Sequence, residues 1–273
     1  MRLVFAELRK VLTTSTWWIF GLIMLPLWAA SAAVNWANAA QAQNPPSGLP
    51  AAQAEQIRVA GEAVNIGTTL YTSGQFFGVL LVMLLGAIVV TNEFYYQTAT
   101  TTFLVTPIRH RVVLGKLAAS ALIGLVFWLV TTVLNLIVVP LIMHQLRLGN
   151  LLDNAAVWRA IGLNALAFGL WAVLGVGLGV LIRNQLAATL TLSITYLVGN
   201  LGASLIFFLL STYVADWFSK LQVIVPTAAS QLMIAGTDLP GNPPRWVGAV
   251  VLIGYAVVAG GIGTAIMRRR DIS

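Results

Sequence analysis

Few residues in this 273-residue chain could carry chemistry, and their spacing excludes most of it. The two histidines, His110 and His144, stand far apart and in no metal-binding spacing such as H-E-x-x-H. There is no cysteine, so no thiolate nucleophile, disulfide or cysteine-ligated metal. A phosphate-binding loop of the G-x-x-x-x-G-K-[ST] type is missing too: Gly115-Lys116 is followed by Leu117, with no glycine at the required position upstream. Without a set of nucleophile, base and metal, the chain is not expected to be an enzyme or to bind a cofactor itself. What remains is one polar stretch between two strongly apolar segments, Asn92 to Lys116, reading NEFYYQTATTTFLVTPIRHRVVLGK. A carboxylate, a run of aromatic residues, five threonines and two arginines suit recognition by another protein.

Read locally, this insert predicts a short helix over 92–106. Asn92 suits an N-cap and Glu93 the positive end of the helix dipole. Phe94, Tyr95 and Tyr96 follow, and Tyr95, Ala99 and Phe103 recur every four residues as one aromatic-apolar stripe. The threonines at Thr98, Thr100, Thr101, Thr102 and Thr106 weaken intrinsic helicity, so the segment needs a partner surface to become well ordered. Thr106-Pro107 ends it, because the residue before a proline is pushed out of the helical region. Arg109, His110 and Arg111 then meet the lipid headgroups. The competing reading is a passive interfacial loop held by its tyrosines and arginines.

The elements around the insert belong to a membrane. The chain is 59% hydrophobic and only 8% charged, against about 25% charged in soluble proteins, and its mean hydropathy is +0.88. The pattern predicts an all-α polytopic protein of one transmembrane domain. Residues 1–14 form an amphipathic interfacial helix, with Leu3, Val4, Phe5, Leu8, Val11 and Leu12 at three- and four-residue steps. Six spans follow at 17–34, 74–91, 112–143, 160–182, 186–210 and 246–267. The third is about 32 residues long where ~20 suffice, so it must tilt, kink at Pro140 or project. The fourth is rich in glycine, and Gly175 with Gly179 makes a G-x-x-x-G pair that permits close helix approach. Residues 213–244 are too apolar for a free loop and too short on either side of Pro226 to cross, which predicts re-entrant or interfacial helices on the outer side. A basic start, an apolar core and Ala37-Asn38-Ala39 also resemble a signal peptide, although the core is long and the tryptophans at 17 and 18 are unusual in one.

Charge sets the orientation. Arg2, Arg9, Lys10, Arg109, Arg111, Lys116, Arg183, Arg268, Arg269 and Arg270 fall on one side; only Arg58, Arg147, Arg159, Lys220 and Arg245 fall on the other. Both termini are therefore expected in the cytosol of a bacterial-type cell membrane. The net charge of +7 reflects this distribution and implies no nucleic-acid partner. No Asp, Glu, Lys, Arg or His lies near the middle of a span, which disfavours proton- or ion-coupled transport. Energy for uphill movement would have to come from a separate ATPase.

Glu93 after the second span, Thr98 five residues on, Thr106-Pro107, an arginine at 109 or 111 and Lys116 at the third span, within a six-span layout led by an interfacial helix, resemble the membrane subunits of type-2 ATP-binding-cassette (ABC) exporters. Gln97 departs from the pattern, standing where a glycine commonly precedes the threonine. The resemblance implies two ABC ATPase subunits carrying ATP and magnesium, a second membrane subunit, identical or homologous, and a coupling helix at 92–106. It also implies that the outer segment around Pro226 caps the exit, that the Arg183 turn is a smaller cytosolic contact, and that Phe76, Phe77, Thr195, Asn200 and Phe207 line a pathway for an apolar or amphipathic substrate. The alternative function is a channel or ion-coupled carrier acting without an ATPase.

Overall fold

Hydrophobic runs of this length can satisfy their backbone inside a bilayer only as helices or closed barrels, and helices are what form. The computed structural model describes residues 2–44, 51–97, 109–182, 184–238 and 241–269. Among them the regular elements are all helical: α1 (Arg2–Leu12), α2 (Thr16–Gln43), α3 (Ala51–Ala60), α4 (Ala63–Tyr71), α5 (Gln75–Tyr95), α6 (Arg109–Gln145), α7 (Ala155–Leu181), α8 (Gln185–Tyr213), α9 (Phe218–Leu221), α10 (Pro226–Ile234) and α11 (Arg245–Arg269), with a 3-10 turn at Gln222–Ile224. Six stretches are long and apolar enough to cross a membrane: α2, α4 with α5, α6, α7, α8 and α11. The chain has the architecture of a multi-pass membrane protein.

Several boundaries differ from the sequence expectation for identifiable reasons. The first span continues to Gln43 instead of stopping near Val34, because alanine and glutamine sustain a helix and no breaker intervenes before Asn44-Pro45-Pro46; Ala37-Asn38-Ala39 lies inside that helix. The third is one helix of 37 residues running through Pro140, about 55 Å at 1.5 Å per residue. The fourth begins five residues early at Ala155, capped by Asn154, whose side-chain oxygen accepts from the Ala156 N–H, and Asn184 caps α8 in the same way. The second span is preceded by α4, and the chain breaks at Gly74, which sits at φ +87°, a left-handed conformation that glycine adopts without penalty.

One helix sits at the centre. The apolar window of the α4–α5 stretch is 89% buried, against 11% for α2 and for α8. Burial of α5 rests on backbone approach to α7: a Cβ on Gly175 would strike the Met83 carbonyl, one on Gly86 the Ala172 carbonyl, and one on Gly179 would lie 2.8 Å from the Ala87 Cα. Both members of the G-x-x-x-G pair therefore face α5 as a packing seam. Behind it, Asn135 of α6 donates to the carbonyls of Tyr71 and Ser73 and accepts from the Trp28 indole. These bonds satisfy the carbonyls that the α4–α5 break leaves open.

Candidate functional site: a buried charge cluster at the root of the insert

At the end of the bundle that carries α1, four charged side chains converge from three helices. Lys116 of α6 places its Nζ 2.7 Å from Glu7 Oε2 of α1 and 2.8 Å from Glu93 Oε1 of α5, with the Val89 carbonyl at 3.4 Å. Lys10 of α1 closes the ring at 2.7 Å from Glu7 Oε1 and 2.8 Å from Glu93 Oε1. Two carboxylates face two ammonium groups, and all three donors of Lys116 are engaged, the condition under which a buried charge is tolerable.

Local sequence dictates each placement. Glu7 falls on the same face of α1 as Leu3 and Val11, and Leu3 packs against Gly115, where a Cβ would lie 3.5 Å from the Leu3 Cβ. Lys116 is flanked on its helix face by Val112, Val113, Ala119 and Ser120, all buried. Glu93 continues the inward face of Val89 and Val90. The resulting exposures are 0% for Lys116 and 4% for each glutamate, whereas the Lys10 side chain is 46% exposed. For Glu7, burial pushes the carboxyl up, but Lys116 and Lys10 together outweigh it and hold it below the ordinary carboxylate range. For Lys10, burial pushes down and the two carboxylates outweigh that, raising it.

This geometry corrects three sequence expectations. Asn92 is not an N-cap: it lies in the last turn of α5, where its carbonyl accepts from the Tyr96 N–H. Glu93 therefore sits near the negative end of a helix dipole, a position made acceptable by Lys116 and Lys10. The second span does not stop at Thr91 but runs on to Tyr95, and Lys116 opposite it is fully enclosed. Tyr95 and Tyr96 are exposed and pack edge to face at 5.0 Å, and Gln97 turns the chain at φ 55°. Thr98, Phe103, Thr106 and Pro107, like Arg183, lie outside the described residues. Arg109 opens α6 and Arg111 is exposed on it. Beside Tyr95 a cavity of about 830 Å³ is lined by Phe94 and Tyr96 on one side and Asn184, Gln185 and Leu186 on the other, so the root of the insert and the start of α8 share one recess.

The pathway residues separate. Thr195 and Asn200 line one cavity near the middle of α8. Phe76 is joined to it through Tyr196, whose ring lies 5.1 Å away and whose hydroxyl donates to the Phe76 carbonyl; Phe77 packs on Phe76. Phe207 is half-buried on α8 and does not line that cavity. Glu7 was not singled out in the sequence, although one signal was there: a carboxylate on the i, i+4 apolar stripe of an amphipathic helix. Among the described residues no span carries an Asp, Glu, Lys, Arg or His at mid-depth, and no cluster of His, Cys, Asp and Glu could hold a metal. Compared with known protein families and with curated proteins, the sequence matches none.

Proposed function

We propose that the chain is the permease subunit of an ATP-driven exporter, working with two ABC ATPase subunits and a second membrane subunit in a bacterial-type cell membrane. The observation that carries this reading is the charge cluster. The chain enters the insert from Glu93 and leaves it towards Lys116; these two residues are ion-paired to each other, and Lys116 is paired to Glu7 as well. A push on residues 96–108 is thereby shared among α1, α5 and α6 instead of being absorbed by a loose loop. Its nearest receiver, α5, is the most enclosed span and is seated on α7 through glycine contacts. The recess between Tyr95 and Leu186 offers a docking concavity for an ATPase surface at the same end.

The excess of arginine and lysine at this end supports a cytosolic position for it. Spans without an Asp, Glu, Lys, Arg or His at mid-depth leave no internal route for ion coupling, so the energy comes from the partner. The purified chain should hydrolyse no ATP, and co-expression with its cognate ATPase should give a stable complex. Tyr95→Ala, which removes an exposed ring and leaves the ion pairs alone, should weaken that complex and ATP-dependent export together. Unchanged assembly and export in both Tyr95→Ala and Glu93→Ala would end the proposal.

A further inference from the structure

The cavity beside α8 has a form that the exporter reading does not require. It measures about 410 Å³ and lies between α8 and α11, floored by Met83 of α5 and Trp171 of α7 and walled by Leu192 of α8 and Tyr255 of α11. Pro226 and Thr227, at the start of α10, cover it on one side. Gly199, Thr195 and Tyr255 are exposed at its mouth, whereas Met83 and Leu192 are buried within it.

Two features define what can occupy it. First, no lining residue carries an ionised side chain, and several of the polar groups are engaged elsewhere: the Tyr196 hydroxyl donates to the Phe76 carbonyl, the Trp171 indole to Ser230, and the Thr227 hydroxyl to the Asn200 side-chain oxygen. A water held in a protein needs two to four polar partners, and these walls present hydrocarbon instead. Second, Trp171, Asn200 and Tyr255 all lie near the middle of their spanning helices, the depth at which a bilayer consists of acyl chains. The mouth opens sideways between two helices whose neighbouring outer faces are themselves apolar, with Ile194, Val198 and Val257 exposed. A cavity of a few hundred Å³ is in the range that encloses a small ligand.

We propose that this cleft is a binding site for one acyl chain of a membrane phospholipid, which enters sideways between α8 and α11 while its headgroup stays at the bilayer surface. The site requires only that the apolar helices lie in a bilayer and is independent of any ATPase. A free fatty acid is the less suitable occupant, since the cleft offers no cation to its carboxylate.

The test uses the full chain in nanodiscs of phosphatidylcholine carrying a diazirine at mid-chain, with photolysis and peptide mapping by mass spectrometry. Insertion is expected at Met83 and Leu192, which bilayer lipid can reach only from inside the cleft. Gly199→Phe fills the mouth, because a Cβ there meets only Thr195 Cγ2 at 3.7 Å. It should cut labelling at Met83 and Leu192 at least fivefold while leaving the outward residues Leu22 and Val34 of α2 labelled as before. Thr195→Trp, on the rim, gives the same reading if the first variant fails to fold. Label confined to outward residues, or labelling of Met83 unchanged in both variants, means annular lipid only and overturns the site. Stronger labelling of Met83 by a diazirine fatty acid at equal concentration overturns the phospholipid assignment.

Discussion

Replacing Lys116 by methionine tests the charge cluster most directly, because it preserves chain length and removes only the ammonium. At an effective dielectric of about 20, each contact of 2.7–2.8 Å represents about 6 kcal/mol of gross attraction. Most of that offsets the desolvation of a fully enclosed lysine. What Lys116→Met leaves behind decides the outcome: Glu7 and Glu93, each 4% exposed, then share the ammonium of Lys10 within the cluster. Removing one partner of a buried pair costs about 3–5 kcal/mol. Lys10→Met removes an ammonium whose side chain is 46% exposed, and after allowance for solvent screening should cost about 1 kcal/mol or less. The double variant Glu7→Gln with Lys116→Met should recover part of the larger loss, since it leaves one carboxylate, instead of two, facing one ammonium. Unfolding of the purified chain by graded detergent denaturation measures all three. The absence of native cysteine allows a single Leu3→Cys probe, facing Gly115, to report in parallel whether α1 has come away. Equal losses for Lys116→Met and Lys10→Met, or a double variant no better than Lys116→Met alone, would refute the reasoning.

The same cluster sets a pH window. Glu7 is held below the ordinary glutamate value of 4.5, so its contribution to the docking of α1 is present above that value and is lost as pH falls below it. Lys10 is raised above 10.5, so its contribution is present below that value and fades as pH rises through and beyond it; protection of the Leu3→Cys probe, taken as its rate relative to the unfolded chain at the same pH, should be high between these limits and fall outside them. On α7, Gly175→Leu should prevent stable folding, since its Cβ alone meets the Met83 backbone, whereas Gly162→Ala and Gly169→Ala, with nothing within 4 Å, should be neutral or stabilise by up to ~1 kcal/mol; thermal melting in detergent separates the two outcomes. Asn135→Leu leaves the Tyr71 and Ser73 carbonyls and the Trp28 indole without their partner; at about 1–3 kcal/mol for each group left unpaired, unfolding should shift by several kcal/mol, and a loss below ~1 kcal/mol would show that other donors replace it.

Hydropathy made the six spanning stretches legible, because a run of some twenty apolar residues has few other uses. Their ends were less so. Residues 35–43 of α2 read as loop from their polarity, yet alanine and glutamine carry a helix onward until a proline pair intervenes. The G-x-x-x-G pair at Gly175 and Gly179 was visible, but that both glycines face α5 follows only from the three-dimensional packing. The candidate site was half legible. Glu93 was legible as the first turn of the insert and Lys116 as a charge at the third span, but not their pairing, because sequence spacing alone does not show that α1 returns to place Glu7 beside Lys116. A contact separated by 109 residues, such as Lys116 with Glu7, leaves no periodic trace in the chain. Thr195 and Asn200 do share a cavity, but its other walls come from α5, α7, α10 and α11, which no local pattern brings together.

The glycine seam between α5 and α7 also fixes the register of the two helices. Met83 lies in the notch at Gly175 and Ala87 in the notch at Gly179, four residues apart on both helices. Sliding α5 by one residue along its neighbour would set those backbones against Leu174 or Val176, where side chains leave no room. The two helices are therefore held in a single register, so that a displacement of α5 along its axis must carry α7 with it.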